Sequence, residues 1–326
     1  MNNVISKFEE IVGRQKIKLN EPLSLHTTIR IGGPAEFYVD IDSLDHIIAL
    51  IIAAKKQNIP VVVLGGGSNI IVSDKGIKGL VIKNNCRKFD IIGMSGKIKN
   101  SKLSMKKGLL YCESGAITNQ VVRFCIDNGM EGLEYHLGLP GTIGGALCMN
   151  SHYPKRRVYV GDTIVKAKII TKDNEIKEVD RGYFRFGYDA SVIQNNGDIL
   201  LSATFALTPL EKSILWERGM EALKYRTDTS PHGSSSGCTF RNISVVDAMR
   251  IPTPNNETSA EYLIEKAGLM GRKVGGAMIS QMHANYILNT GDAKAEDVSK
   301  LAEEVNREVY QKFGTYLHFQ IKTIGF

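Results

Sequence analysis

A run of three glycines, Gly65-Gly66-Gly67, lies between two apolar β-type segments, Val61-Val62-Val63-Leu64 before it and Ile70-Ile71-Val72 after it. Leu80-Val81-Ile82 follows shortly, so the chain stays extended on both sides of the turn. A doubly wound dinucleotide fold puts its glycines between a strand and a helix; here they join strand to strand. Successive backbone N–H groups in such a turn form a concave site for phosphate oxygens, and glycine admits both the dihedrals and the close approach. One turn of this kind is equally well explained as a structural β-turn. A second glycine loop, Gly138 to Gly145, with Pro140 fixing its shape, makes a diphosphate cradle the better reading. His26 to Gly33 reads as a strand running into another glycine turn, and Arg30 offers a cation beside it.

The rest of the chain alternates helices and strands. Residues 1–20 read as a polar-faced helix, and Ser43 to Gln57 as an amphipathic helix with Leu44, Ile47, Ile48, Ile51 and Ile52 on one face. Residues 93–108 are rich in Lys, Ser and Gly and read as an exposed loop. A second amphipathic helix spans 118–128, and three β-rich stretches follow at Thr163–Thr171, Glu175–Val179 and Ile199–Leu207. After Pro209 the composition changes. Residues 211–225 are helical, 226–237 form a Ser/Gly/Pro loop, and Thr258-Ser-Ala-Glu261 is a capping box for a helix Tyr262–Ala267 that stops at Gly268. The last helix runs from Ala295 to Phe313, with Val298, Leu301, Ala302, Val305 and Val309 inward and Gly314 as its stop. A terminal strand covers Leu317–Ile324. No internal repeat is present, and the pattern predicts an α+β fold: an N-terminal helix (1–20), a larger domain of two subdomains (21–208) and a smaller one (209–326).

With 326 residues, 43% of them hydrophobic, the chain can bury a sizeable core in two or three domains. Its net charge of +7 is scattered. The short basic runs Lys55-Lys56, Lys106-Lys107 and Lys155-Arg156-Arg157 carry no interleaved aromatics, which favours small phosphorylated ligands over nucleic acid. Five cysteines, at 86, 112, 125, 148 and 238, form no C-x-x-C pair, so neither a disulfide framework nor a metal site is expected. Met1 to Glu10 shows no signal-peptide pattern, and the longest apolar stretch, Leu44–Ala54, is too short for a bilayer. A soluble, cytoplasmic monomer without membrane partners is the expectation.

The segments HTTIRIGGPAEFYV (26–39), VLGGGSNIIVSDKGIKGLVI (63–82), GLPGTIGGA (138–146), GCTFRN (237–242), AEYLIEKAGLMGRKVGGAMIS (260–280) and HANYILNTGDAKAEDV (283–298) together resemble the UDP-N-acetylenolpyruvoylglucosamine reductase family. The resemblance runs in order along nearly the whole chain, and the second half is similar to the shorter, type II branch. It implies an FAD-binding domain of the vanillyl-alcohol-oxidase (PCMH) type followed by a smaller α+β substrate domain. It also implies that NADPH supplies electrons through FAD to the enolpyruvyl double bond of a UDP-sugar. A side-chain acid then protonates the neighbouring carbon while cationic and carboxylic groups stabilise the enolate-like intermediate. The residues implied to hold FAD are Leu64, Gly65, Gly66, Gly67, Ser68, Asn69 and Ile70 in the first loop. In the second loop they are Leu139, Pro140, Gly141, Thr142, Gly144 and Gly145, with Gly115, Arg30 and Gly32 close by. Tyr188, Asn242, Arg241 and His283 are implied on the substrate side.

The catalytic positions depart from the family's pattern. Where the family has Tyr-Arg-x-Ser with a catalytic Arg, this chain reads Tyr188-Asp189-Ala190-Ser191. Arg185 lies near in sequence, on a stretch read as a strand, and with Arg241 is a candidate for the missing cation. The family's proton-donating Ser is Cys238, whose thiol, with a reference pKa of about 8.5, is a better acid than a hydroxyl. The family's terminal catalytic Glu is Gln320, which orients by hydrogen bonds but can neither take nor give a proton at neutral pH. Met270 replaces a basic residue, with Arg272 two positions on, and the family's Asn-Ala-Gly-Ala-Tyr-Gly reads Asn150-Ser-His-Tyr-Pro-Lys155. Cys238, Arg185 and Gln320 are the catalytic candidates. The leading expectation is a working reductase of this family; the alternatives are a flavin-binding member with lost activity and an oxidoreductase with a changed substrate.

Overall fold

The computed structural model describes residues 2–99 and 102–326. The architecture is α+β, as expected, and the chain divides into two compact units that interleave along the sequence. One comprises residues up to 18, 38–66 and 80–228; the other comprises 19–37, 67–79 and 229–326.

The first unit is built on a six-stranded antiparallel sheet. Its order is Ile176–Asp180, Ile164–Ile170, Ile199–Pro209, Lys102–Glu113 and Phe89–Lys99, with Met130–Glu131 also paired to Ile199–Pro209. Leu110, Cys112, Val121, Val122, Leu147, Ile169, Phe184 and Phe205 fill its core. Ile164, Ala167, Ile169 and Ile170 are the buried positions of Ile164–Ile170, whereas Ile199–Pro209 is buried almost throughout. In the same unit Val61–Leu64 pairs in parallel with Leu80–Lys83. The helix Lys212–Thr229, which follows the change of composition at Pro209, packs here through Leu215.

In the second unit a four-stranded sheet runs in the order Ser234–Cys238, Tyr286–Asn289, Ala277–Ile279, Lys273–Val274. Lys322–Ile324 pairs in parallel with Ile70–Val72. The helices Ala260–Lys266 and Ala295–Phe313 cover a core containing Phe240, Leu263, Ile279, Leu301, Val305 and Ile321. The final helix has the predicted ends and buries the predicted face.

Several expectations need correction. The N-terminal helix is Asn2–Val12 rather than 1–20, and Ile17–Pro22 is a strand. His26 to Gly33 is not a strand. Thr27 Oγ1 donates to the Ile31 carbonyl at 2.9 Å and accepts from the Ile31 N–H at 3.2 Å, closing a local turn in competition with a ladder. The strand starts only at Pro34. Residues 93–108 are the two arms of a hairpin, paired from Phe89↔Cys112 to Lys99↔Lys102, with residues 100 and 101 outside the described ones. Continuation of the ladder overrides the poor strand propensity of Lys, Ser and Gly. The 226–237 loop is shortened at both ends, because the helix continues to Thr229 and a strand begins at Ser234. Ser259, not Thr258, caps the Ala260–Lys266 helix, accepting from the Tyr262 N–H at 3.2 Å. The terminal strand is confined to Lys322–Ile324.

None of the five cysteines is in a disulfide, and no helix among the described residues is long and apolar enough to cross a membrane.

Candidate active site

In the first unit the two glycine loops touch. A Cβ on Gly66 would lie 2.6 Å from the Gly141 Cα, and one on Gly65 would lie 2.5 Å from Thr142 Oγ1. Both positions must therefore lack a side chain for the loops to close on each other. Leu64 is buried at the end of its strand, and Leu139 of the second loop packs partly buried against the core of the six-stranded sheet. Thr142 caps a short helix, Ile143–Met149, which the sequence did not reveal; its hydroxyl accepts from the Gly145 N–H at 3.4 Å. Gly144 is already engaged, donating its N–H to the Ser114 carbonyl at 2.8 Å. Gly115 lies over Asn84, with no room for a Cβ there. Lys83 donates to the Gly65 carbonyl, and burial lowers the pKa of its ammonium despite the attraction of Asp40. No motif marked this lysine, because on sequence it is one polar position in a strand.

The backbone N–H groups of Gly65, Gly66, Gly67, Ser68 and Asn69 have no acceptor among the described residues. Orphaned donors in a row, on a loop too tight for side chains, are the arrangement that takes an anion. The flavin's diphosphate fits that donor set.

In the second unit, Thr28 holds the loop from below. Its N–H donates to the Gly67 carbonyl at 3.0 Å, and its hydroxyl donates to the Ser235 carbonyl at 2.7 Å. Arg30 is exposed in the left-handed region (φ 57°), and the neighbouring Ile29 carbonyl is bound by the Asn289 amide at 3.0 Å. Gly32 packs against Val72 and Leu23, and the Ile70 carbonyl accepts from Ser236 Oγ at 2.9 Å.

The same unit brings two of the three catalytic candidates onto neighbouring segments. Cys238 ends its strand, and the next carbonyl, of Thr239, accepts from the Gln320 N–H at 2.8 Å. Phe240 bridges Phe319 in antiparallel sense, with rings stacked at 5.4 Å. The Asn69 amide donates to the Gln320 carbonyl at 3.4 Å. Asn285, which carried no sequence signal, fixes this corner from the core: its Oδ1 accepts from the Phe240 N–H at 2.9 Å and its Nδ2 donates to the Phe240 carbonyl at 2.8 Å. Asn242 is partly committed to structure, since its Oδ1 accepts from the Ala260 N–H at 3.1 Å. Arg241 is half-buried, and its Nε has no hydrogen-bond partner among the described residues. His283 is pushed down to about 4 by burial. Its Nδ1 accepts from the Asn285 N–H at 3.3 Å and lies 3.3 Å from Glu261 Oε1. Burial, then the charge of Glu265, raises Glu261, so both shifts favour a neutral pair.

The third candidate belongs to the first unit. Arg185 is not on a strand. It caps the turn Arg181–Phe184 in the left-handed region (φ 46°), exposed, and its guanidinium makes no ion pair or hydrogen bond among the described residues. Asp189 is instead met by His152, whose Nδ1 lies 3.3 Å from Asp189 Oδ1. Tyr188 is exposed, its ring 5.2 Å from that of His152.

Fold and donor set together define an FAD-binding protein of mixed α+β architecture, and residues 35–180 match the FAD binding domain family. Residues 229–324 match the family described as UDP-N-acetylenolpyruvoylglucosamine reductase, C-terminal domain. The reductase of that name from Lachnoclostridium phytofermentans is 33% identical over 333 aligned residues, covering all of this chain and 98% of the relative. The one from Clostridium botulinum (strain 657) is 32% identical, covering 99% and 97%. The crystal structure of the Thermus caldophilus reductase superposes with a TM-score of 0.74 at 26% identity, over 95% of this chain and 98% of that one. The chain belongs to the UDP-N-acetylenolpyruvoylglucosamine reductase family. It is an FAD-dependent oxidoreductase.

Proposed function

We propose that the chain reduces UDP-N-acetylglucosamine enolpyruvate to UDP-N-acetylmuramate with NADPH, a step in peptidoglycan precursor synthesis, as a cytoplasmic monomer. The observation that carries this reading is the pair of glycine loops in contact, Gly66 on Gly141, with a row of unpaired N–H groups beside them. It stands in a chain that relatives of that name match from end to end.

Bound FAD would take two electrons from NADPH and deliver them to the enolpyruvyl double bond. In this reading Gly65 to Asn69 and Leu139 to Gly145 hold its diphosphate, with Leu64, Ile70, Gly115, Arg30 and Gly32 against its remaining groups. Cys238 gives its thiol proton to the neighbouring carbon and is reprotonated from water. A thiol suits the task because it ionises more readily than the hydroxyl it replaces. Gln320 orients the substrate as a hydrogen-bond donor and acceptor. Arg185 and Arg241 supply positive charge at the sugar nucleotide, and Tyr188, Asn242 and His283 line its site.

The test is steady-state NADPH oxidation by the FAD-loaded protein. Adding UDP-N-acetylglucosamine enolpyruvate should accelerate it. Flavin present with no substrate-dependent oxidation overturns the proposal.

A further inference from the structure

The glycines at 65, 66 and 67 let the first loop close on the second, but they leave its peptide planes poorly determined. A Gly–Gly peptide has no Cβ on either side to oppose rotation of its plane, so an outside group must fix where its N–H points. For the Gly65–Gly66 peptide that group is Lys83, whose ammonium donates to the Gly65 carbonyl. The peptide is trans, so its carbonyl and its N–H point in opposite directions. Holding the carbonyl against Lys83 therefore aims the Gly66 N–H away from the lysine, and that N–H has no acceptor among the described residues. The Gly66 α-carbon has little room to swing, since a Cβ on it would already lie 2.6 Å from the Gly141 Cα.

The lysine is itself firmly placed. The strands Val61–Leu64 and Ile77–Asn84 run parallel with Leu64 opposite Lys83, so the side chain reaches from the end of one strand to the first loop residue after the other. Asn84, the next residue, faces the opposite side of the strand. It ties down the second loop: its Nδ2 donates to Ser114 Oγ at 2.9 Å, and the Ser114 carbonyl accepts from the Gly144 N–H at 2.8 Å. One strand end thus holds both loops. Lys83 is half-buried; burial lowers its pKa, Asp40 opposes that shift and Arg87 adds to it. It makes no ion pair among the described residues, and a partly desolvated cation in that state is stabilised by an anion brought near it.

We infer that Lys83 is a positioning residue for FAD: by holding the Gly65 carbonyl it sets the plane of the Gly65–Gly66 peptide so that the Gly66 N–H meets the flavin's diphosphate. The same hydrogen bond, charged on the donor side, polarises the peptide and strengthens its N–H as a donor. The inference rests on the first loop being the diphosphate site, as proposed above.

The experiment titrates flavin-free protein with FAD, following the quenching of flavin fluorescence, and then records the phosphorus NMR spectrum of the saturated complex. Lys83→Met keeps the side chain's length but removes its donor and its charge. FAD affinity should fall about 10- to 100-fold, the loss of one charge-assisted hydrogen bond, and the diphosphate resonances of the saturated complex should move from their wild-type positions. Lys83→Arg, which can still donate, should recover most of the affinity. Lys88→Met removes the same charge from an exposed position of the same unit and should bind FAD as wild type does. The melting temperature of the flavin-free protein checks the fold of each variant. A Lys83→Met protein that binds FAD as tightly as wild type, or more weakly but with unmoved diphosphate resonances, overturns this inference alone. Diphosphate resonances of the wild-type complex that coincide with those of free FAD overturn the assignment of the loop, and this inference with it.

Discussion

Replacing Gly66 with Ala puts a carbon where the structure leaves 2.6 Å to the Gly141 Cα. Carbon atoms in contact prefer about 3.5–4.0 Å, so the two loops must part by about 1 Å, and the obstacle is backbone rather than a side chain that can rotate away. Overpacking of this kind costs about 1–3 kcal/mol. If that cost falls on the flavin-holding geometry, FAD affinity drops about 5- to 150-fold. The assay is quenching of FAD fluorescence on titration with flavin-free protein, for wild type, Gly66→Ala, Gly65→Ala and Gly93→Ala. Gly65→Ala should be milder, because its obstacle is the Thr142 hydroxyl, which can turn. Gly93→Ala meets nothing within 4 Å and should bind FAD as wild type does. A Gly66→Ala protein with undiminished FAD affinity and melting temperature would refute the argument that loop contact shapes the cradle.

Cys238→Ala should lower kcat about 100-fold or more with FAD content unchanged, and Cys238→Ser should recover part of it, by steady-state kinetics. Asn285→Ala strands the Phe240 N–H and carbonyl in the core and should cost about 2–4 kcal/mol in urea unfolding. His136, held to about 3, binds a proton more readily unfolded than folded. Its contribution is therefore intact above the unfolded value near 6.5 and is lost as pH falls from there toward 3. From pH 7 to pH 5 that loss is about 2 kcal/mol, and His136→Phe should reduce the pH dependence of the unfolding free energy from urea titrations by that amount.

What the sequence made legible was what short-range chemistry marks. The helix Ala295–Phe313 was readable, with its ends about where they lie, because its apolar stripe is clean and Gly314 ends it. The helix Leu44–Lys56 was found, but its buried face is Ile47, Leu50, Ile51 and Ala54 rather than the stripe read from Leu44. A segment so uniformly aliphatic has few polar residues to mark its outer side. The glycine loops could be read as a cradle, whereas their contact through Gly66 and Gly141 is separated by too many residues for any local pattern. Long-range pairing also hid the hairpin at 93–108, where the partner strand decides the conformation. The same distance concealed Asn285 behind Phe240 and His152 beside Asp189: each residue is unremarkable alone, and only the fold gives it a partner.

The proposed reaction adds two hydrogens across the enolpyruvyl double bond. Mass spectrometry of the product formed by the FAD-loaded protein from NADPH and UDP-N-acetylglucosamine enolpyruvate in heavy water tests it most directly. The product should be UDP-N-acetylmuramate carrying carbon-bound deuterium, at least one atom of it delivered through the exchangeable Cys238 thiol. Unchanged enolpyruvyl compound after NADPH has been consumed would contradict it.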